Sequence, residues 1–157
     1  NVTYFPLGEE QFAEMKNRLR EAKRFIFIEY FIIAPGKMWN EFLEILIERA
    51  RAGVEVRLMY DGFGTKFFST GDFLKIAKQH HIQCRCFNPF RPLLSSAQNN
   101  RDHRKILVID GNIAFNGGTN LADEYINEKV RFGHWKDTAI MLEGAAVWSY
   151  TMMFLQL

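Results

Sequence analysis

The chain carries an imidazole, an ammonium group and a carboxylate at the spacing H-x-K-x4-D, in His103, Lys105 and Asp110. The residues between Lys105 and Asp110 are all aliphatic, which predicts a buried strand. Since side chains alternate along a strand, His103 and Lys105 are predicted to share one face. A Gly-Gly pair follows at 117–118, where a ligand can approach the backbone closely, and Asn120 can donate from its amide. This combination indicates a phosphate pocket.

The chemistry that these residue types suit is attack on a phosphodiester. His103 can act as the nucleophile that forms a phosphohistidine, or as the acid that protonates the leaving alcohol, and the sequence leaves both roles open. Lys105 and Asn120 are predicted to hold the non-bridging oxygens while negative charge develops on them. The expected mechanism uses no metal ion and no other cofactor.

The full pattern, His103-x-Lys105-x4-Asp110-x6-Gly117-Gly118-x-Asn120, resembles the HKD signature of the phospholipase D superfamily. Six further segments are similar to bacterial cardiolipin synthases and occur in the same order: Glu29–Ile32, Tyr60–Thr65, Phe87–Pro89, Arg101–Lys105, Asp123–Tyr125 and Trp135–Thr138. The similarity extends over nearly the whole chain.

The resemblance implies an enzyme that transfers a phosphatidyl group from one phosphatidylglycerol to the hydroxyl of another and releases glycerol. Residues 1–157 are then interpreted as the first phospholipase D-like domain of a longer membrane enzyme. A second HKD half is expected in the same chain or in a partner, and the domain is expected to face the cytoplasm at the bacterial cell membrane. The alternatives are a phospholipase D or nuclease of the same superfamily, and a noncatalytic half-domain for assembly or membrane-surface binding.

Several other residues can be interpreted either as structural or as part of the site. The resemblance implies that Asp137 orients the ring of His103, although a Trp-x-Asp sequence can also cap a turn. Glu29 lies in an apolar strand and is predicted either to form a buried salt bridge or to reach the substrate. His134 and Gly118 are further candidates for substrate binding. Asp110 is predicted to be structural, because it lies at a hairpin turn where a carboxylate can accept backbone amide protons.

The composition indicates one globular domain with a substantial core, since 48% of the 157 residues are hydrophobic and 15 are Phe. The net charge of only +2 does not favour nucleic acid as a partner. Cys84 and Cys86 are predicted to be buried free thiols, which favours a reducing compartment. The longest apolar stretch, residues 25–34, is much shorter than the roughly 20 residues that span a bilayer.

Strands and helices alternate through the first part of the chain, which predicts an α/β fold with a mixed, mainly parallel sheet and helices on both faces. Helices are predicted over about 9–23, 39–50, 71–80 and 145–157. Strands are predicted over 25–33, 54–60, 82–87, 105–109, 112–116 and 138–142, with Asp110-Gly111 as a two-residue hairpin turn. In the loop 88–102, Phe90, Leu93 and Leu94 are expected either to pack back on the domain or to meet acyl chains.

Overall fold

The computed structural model is organised around one sheet. It describes residues 1–65, 70–89, 99–131 and 133–157, and for residues 70–73 it gives only the backbone. Within these residues, seven strands form one sheet in the order β1-β7-β6-β5-β2-β3-β4. The strands are β1 (Val2–Phe5), β2 (Phe25–Tyr30), β3 (Glu55–Asp61), β4 (Gln83–Phe87), β5 (Lys105–Ile109), β6 (Ile113–Gly117) and β7 (Ala139–Glu143).

The predicted mixed α/β class is confirmed, but the pairing is mostly antiparallel rather than mainly parallel. Only β2-β3 and β3-β4 pair in parallel, whereas β2-β5, β5-β6, β6-β7 and β1-β7 are antiparallel. A helix connects each parallel pair, as parallel neighbours require. The prediction extended this arrangement to the whole sheet, although the alternation of strands and helices ends at β4.

Helices cover both faces of the sheet, as predicted. They are α1 (Gly8–Arg20), α2 (Lys37–Arg51), α3 (Thr70–Gln79) and α4 (Val147–Leu155). The first three pack into the larger apolar cluster, whereas α4 packs into a smaller one on the other face. Helix α2 ends beside Gly53, which has a φ of 91°. Glycine adopts this left-handed conformation at low cost, so the predicted end of the helix is also explained.

The two clusters divide the side chains of the central strand β2 between the two faces. Ile28 and Tyr30 belong to the cluster under α1 and α2, whereas Phe27 belongs to the cluster under α4. By this alternation Glu29 points to the α4 face. Among the described residues, no helix combines the length and the apolar character that crossing a membrane requires.

Candidate active site

The motif strand begins at Lys105, with His103 just before it. Lys105 is buried with 4% of its surface exposed, whereas His103 is exposed. The Nζ atom of Lys105 donates a hydrogen bond of 2.6 Å to the backbone carbonyl oxygen of His103. Both side chains meet the ring of Phe31, whose centroid lies 4.7 Å from that of the imidazole and 5.4 Å from Nζ. His103 and Lys105 therefore lie together on one aromatic surface.

The protonation states of His103 and Lys105 suit the binding of an anion. Burial lowers the pKa of Lys105 to about 8, although the negative charges of Asp102 and Asp137 act in the opposite direction. Burial and the positive charge of Lys105 also lower the pKa of His103 below its ordinary value of 6.5. At pH 7 the imidazole is therefore mainly neutral while the lysine is mainly charged, so the site combines a ring nitrogen lone pair with a cation.

Asn120 is held by two hydrogen bonds that fix the orientation of its amide. Its Oδ1 accepts a bond of 3.0 Å from the backbone N–H of Ile32, the residue next to Phe31. Its Nδ2 donates a bond of 2.9 Å to the hydroxyl of Tyr125. An amide nitrogen carries two protons, so one N–H has no partner among the described residues and can serve a ligand.

Asp137 lies against Gly118, and the pair shows why a glycine is needed there. A Cβ atom on Gly118 would lie only 2.0 Å from Oδ1 of Asp137. That carboxylate accepts hydrogen bonds from the backbone N–H of Thr138, at 2.9 Å, and from the indole of Trp135, at 3.5 Å. No hydrogen bond joins Asp137 to His103 among the described residues, so its predicted role in orienting the imidazole stays a prediction, as does substrate contact by Gly118.

Asp110 lies at the opposite end of β5, in the turn to β6. Its carboxylate accepts backbone N–H groups of Lys23 at 2.9 Å, Arg24 at 2.7 Å and Phe25 at 2.9 Å. The turn has three residues, 110–112, because Ile109 pairs with Ile113, so the predicted two-residue turn is one residue too short. Asp110 and Gly111 both have positive φ angles, 56° and 72°. These are the contacts that the structural interpretation of Asp110 predicts.

Glu29 and His134 do not contact the motif pair. Glu29 is fully buried on the α4 face, and its Oε1 lies 2.5 Å from Nε of Arg104, which favours the salt-bridge alternative. Burial and the neighbouring carboxyl of Asp102 raise the pKa of Glu29. His134 is exposed, with its Nε2 at 3.8 Å from Oε1 of Glu9. Substrate contact by either residue stays a prediction.

The sequence reasoning missed Asp61, which fixes the backbone that precedes His103. Asp61 is fully buried and accepts the N–H of Asp102 at 3.0 Å, while Arg101 donates to it at 3.3 Å. It also accepts the N–H groups of Phe63 and Gly64, so a tight turn surrounds it. The D-G-F-G sequence at 61–64 was the available signal, since an aspartate followed by glycines is typical of such turns.

Phe31 was missed as well, and it connects the site to an open cleft of about 800 Å³. The cleft has an apolar side that includes Phe31, Ile32 and Phe63, and its charged lining residues are Asp123, Glu124, Lys129 and Arg131. The predicted contact of Phe90, Leu93 and Leu94 with acyl chains lies outside the described residues.

The two cysteines are free thiols, as predicted, but each is half-buried rather than buried. Burial raises the pKa of Cys84 to about 11. No group of three or more His, Cys, Asp or Glu within the described ranges is arranged to hold a metal ion, and the expected absence of a metal from the mechanism stays a prediction.

Comparisons with known proteins show the family to which the chain is similar. Residues 15–132 match the family model described as "Cardiolipin synthase, PLD-like domain". The chain is 56% identical to an uncharacterized protein of Streptococcus mutans, over 99% of the chain and 34% of that protein. It is 40% identical to cardiolipin synthase 2 of Bacillus cereus, over 95% of the chain and 29% of that protein. The chain thus spans about a third of the length of these relatives.

A solved structure shares the fold at low sequence identity. Phosphatidylserine synthase of Haemophilus influenzae superposes with a TM-score of 0.76 at 12% identity, and the match covers 99% of this chain and 36% of that one. The arrangement of the strands and helices is therefore that of a known architecture.

Proposed function

The chain belongs to the family of phospholipase D-like domains found in cardiolipin synthases, and from this premise we propose that it is the first catalytic half of a phosphatidyltransferase. The proposed reaction moves a phosphatidyl group from one phosphatidylglycerol to the hydroxyl of a second, which yields cardiolipin and glycerol. One observation carries the proposal: the exposed ring of His103 and the buried ammonium group of Lys105 meet on Phe31, beside an open cleft.

In the proposed first step, a ring nitrogen of His103 attacks phosphorus and the bond from phosphorus to the glycerol oxygen breaks. The lowered pKa of His103 supports the nucleophilic role over the acidic one, because only the neutral ring has a free lone pair. The leaving alkoxide takes its proton from a histidine of a second HKD half. In the second step the acceptor hydroxyl gives its proton to that histidine, its oxygen bonds to phosphorus, and His103 leaves.

Lys105 and Asn120 are proposed to bind the non-bridging oxygens of the phosphate. Lys105 has three N–H donors, of which one bonds to the carbonyl of His103. The described contacts of Asn120 leave one N–H for the phosphate. These donors are held by the fold before the substrate arrives, and fixed donors stabilise developing charge without reorganisation. We propose that Gly118 and Asp137 border the same phosphate, because the charge of Asp137 acts on Lys105.

The remaining proposals concern partners and location. Because the chain carries one H-x-K-x4-D motif, the second half must come from another part of a longer protein or from a second copy. We place the domain on the cytoplasmic side of the bacterial membrane, where its phospholipid substrate lies. The free thiols of Cys84 and Cys86 are consistent with a reducing compartment.

The experiment that tests the proposed function follows phosphatidylglycerol that carries a phosphorus label, with the full-length protein that contains both halves. We expect labelled cardiolipin, and a labelled protein adduct on His103 that mass spectrometry locates after rapid quenching. His103→Asn should abolish both, whereas His134→Asn, a change of another exposed histidine, should leave both intact. Label that appears only in phosphatidic acid would identify a phospholipase instead, and an active His103→Asn protein would exclude His103 as the reacting group.

A further inference from the structure

The described residues between the short 3-10 helix (Asp123–Ile126) and Trp135, which are 127–131 and 133–134, belong to a loop that is closed at its base. Asn127, which has a φ of 56°, donates from Nδ2 to the carbonyl of Trp135 at 3.0 Å and accepts the N–H of the same residue at 2.6 Å. A further bond of 2.7 Å joins Nδ2 to Oε1 of Glu9 at the start of α1. Both ends of the loop are therefore fixed to the body of the domain.

The tip of this loop presents an apolar residue between two cations. Val130 is 80% exposed, the largest exposure among the large hydrophobic residues that the structure describes, and Lys129 and Arg131 flank it. The negative charge of Glu128 is compensated by an ion pair with Lys37. Arg131 pairs with Glu124 at 3.1 Å, but more than half of its side chain is still exposed. The tip thus combines positive charge with an exposed aliphatic side chain.

The same tip forms one rim of the cleft that Phe31 also lines. Lys129, Val130 and Arg131 line the cleft together with Phe31, which contacts the ring of His103. Phe63 lines it as well and is 40% exposed. A surface that binds this rim therefore lies over the same cleft as Phe31, the residue that contacts the ring of His103.

We propose that this rim, formed by Phe63 and Lys129–Arg131, docks on the surface of an anionic lipid bilayer. The two cations are attracted to anionic headgroups, and Val130 can enter the boundary between headgroups and acyl chains. Lipids then enter the cleft from the bilayer with their phosphate toward Lys105. The inference extends the proposed function, but docking requires no turnover, so the two can fail separately.

The test measures sedimentation of the protein with vesicles of equal parts phosphatidylglycerol and phosphatidylcholine, and with vesicles of phosphatidylcholine alone. We expect binding to the anionic vesicles that weakens as salt is raised. Lys129→Glu with Arg131→Glu should lower binding about tenfold or more, because each basic residue near an anionic surface adds several-fold in affinity. The matched control, Lys23→Glu with Arg51→Glu, makes the same change in net charge on exposed residues at the other end of the sheet and should retain binding.

A second pair of variants tests the contribution of Val130. Val130→Ser should lower binding about threefold, since burial of two methyl groups is lost. Val2→Ser changes a valine that is 66% exposed on β1 and should have no effect. Lys129→Glu alone keeps the ion pair of Arg131 with Glu124, so a loss of binding by this variant with an unchanged circular dichroism spectrum supports docking even if the double variant folds poorly.

Several results would overturn the proposal. They are equal binding to neutral and anionic vesicles, equal losses in the loop variants and their controls, and no binding by the unmodified protein. If the loop variants differ from the unmodified protein in their mass in solution but not in vesicle binding, the rim contacts a second copy of the chain instead. His103→Ala should bind vesicles normally, which separates docking from the chemistry.

Discussion

Replacing Lys105 by methionine should make the protein more stable at pH 7, although the lysine is central to the proposed chemistry. The pKa of Lys105 falls from 10.5 to about 8 on folding, and at about 1.4 kcal/mol for each pKa unit this depression corresponds to roughly 3 kcal/mol. Methionine removes this cost with a similar side-chain volume. The lost hydrogen bond to the carbonyl of His103 costs about 1 kcal/mol. We therefore expect Lys105→Met to raise the free energy of unfolding by about 2 kcal/mol.

The pH dependence of this difference is the sharper test. Between pH 8 and 10.5 the unfolded chain binds more protons at Lys105 than the folded one, because the folded pKa is the lower of the two. The stability of the unmodified protein therefore gains a term that rises with pH across this window, and the variant lacks it. The advantage of Lys105→Met should shrink above pH 8 and disappear near pH 10.

Urea unfolding of both proteins at pH 7, 8, 9 and 10 measures this difference directly. Lys78→Met, a change of an exposed lysine on α3, is the control and should show a small difference that does not vary with pH. If Lys105→Met is less stable at pH 7, or if its stability runs parallel to that of the unmodified protein up to pH 10, then burial of the ammonium group does not have the cost that its position implies.

Three further changes test the site. In the full-length enzyme, His103→Ala should abolish transfer and leave the melting temperature unchanged, whereas Asp110→Ala should keep activity but lower stability by about 1–2 kcal/mol in thermal melts, because three backbone amides lose their acceptor. Gly118→Ala should lower kcat at least tenfold in a turnover assay, since its Cβ would displace the carboxylate of Asp137. Residues 1–157 as a confirmed monomer should show negligible phosphatidylglycerol turnover, because loss of the general acid alone costs about 10²–10⁴ in rate; robust turnover would contradict the requirement for two halves.

The elements that sequence predicted well are those with a local cause. The turn between β5 and β6 contains two residues with positive φ, as the Asp110-Gly111 sequence indicated, although it has three residues rather than two. The end of α2 at Gly53 has the same kind of cause. In contrast, β1 was not predicted, because it is a strand of four residues whose partner, β7, lies more than 130 residues further along the chain. Its exposed Val2 and Tyr4 do not give the pattern of a half-buried strand.

The same distinction applies to the site. The spacing of His103 and Lys105 placed them on one face without knowledge of the fold. The contributions of Phe31 and Asp61 depend on the ends of β2 and β3, which meet the motif only after the sheet has formed. The expected bond from Asp137 to the imidazole needs a distance that spacing does not determine, and nearer donors at Trp135 and Thr138 engage its carboxylate.

The polar residues Asp102, His103 and Arg104 lead into the buried strand β5, which begins at Lys105. Asp102 and Arg104 form an ion pair at 3.1 Å, and Arg104 also pairs with Glu29 on the α4 face. These contacts hold the backbone on both sides of His103. The imidazole itself makes an aromatic contact but no hydrogen bond among the described residues. A backbone that is fixed on either side, with ring nitrogens that have no hydrogen bond to the described residues, suits a residue that is proposed to form and then break a bond to phosphorus. In the proposed reaction Asp102 and Arg104 thus position His103, and they need not touch the substrate.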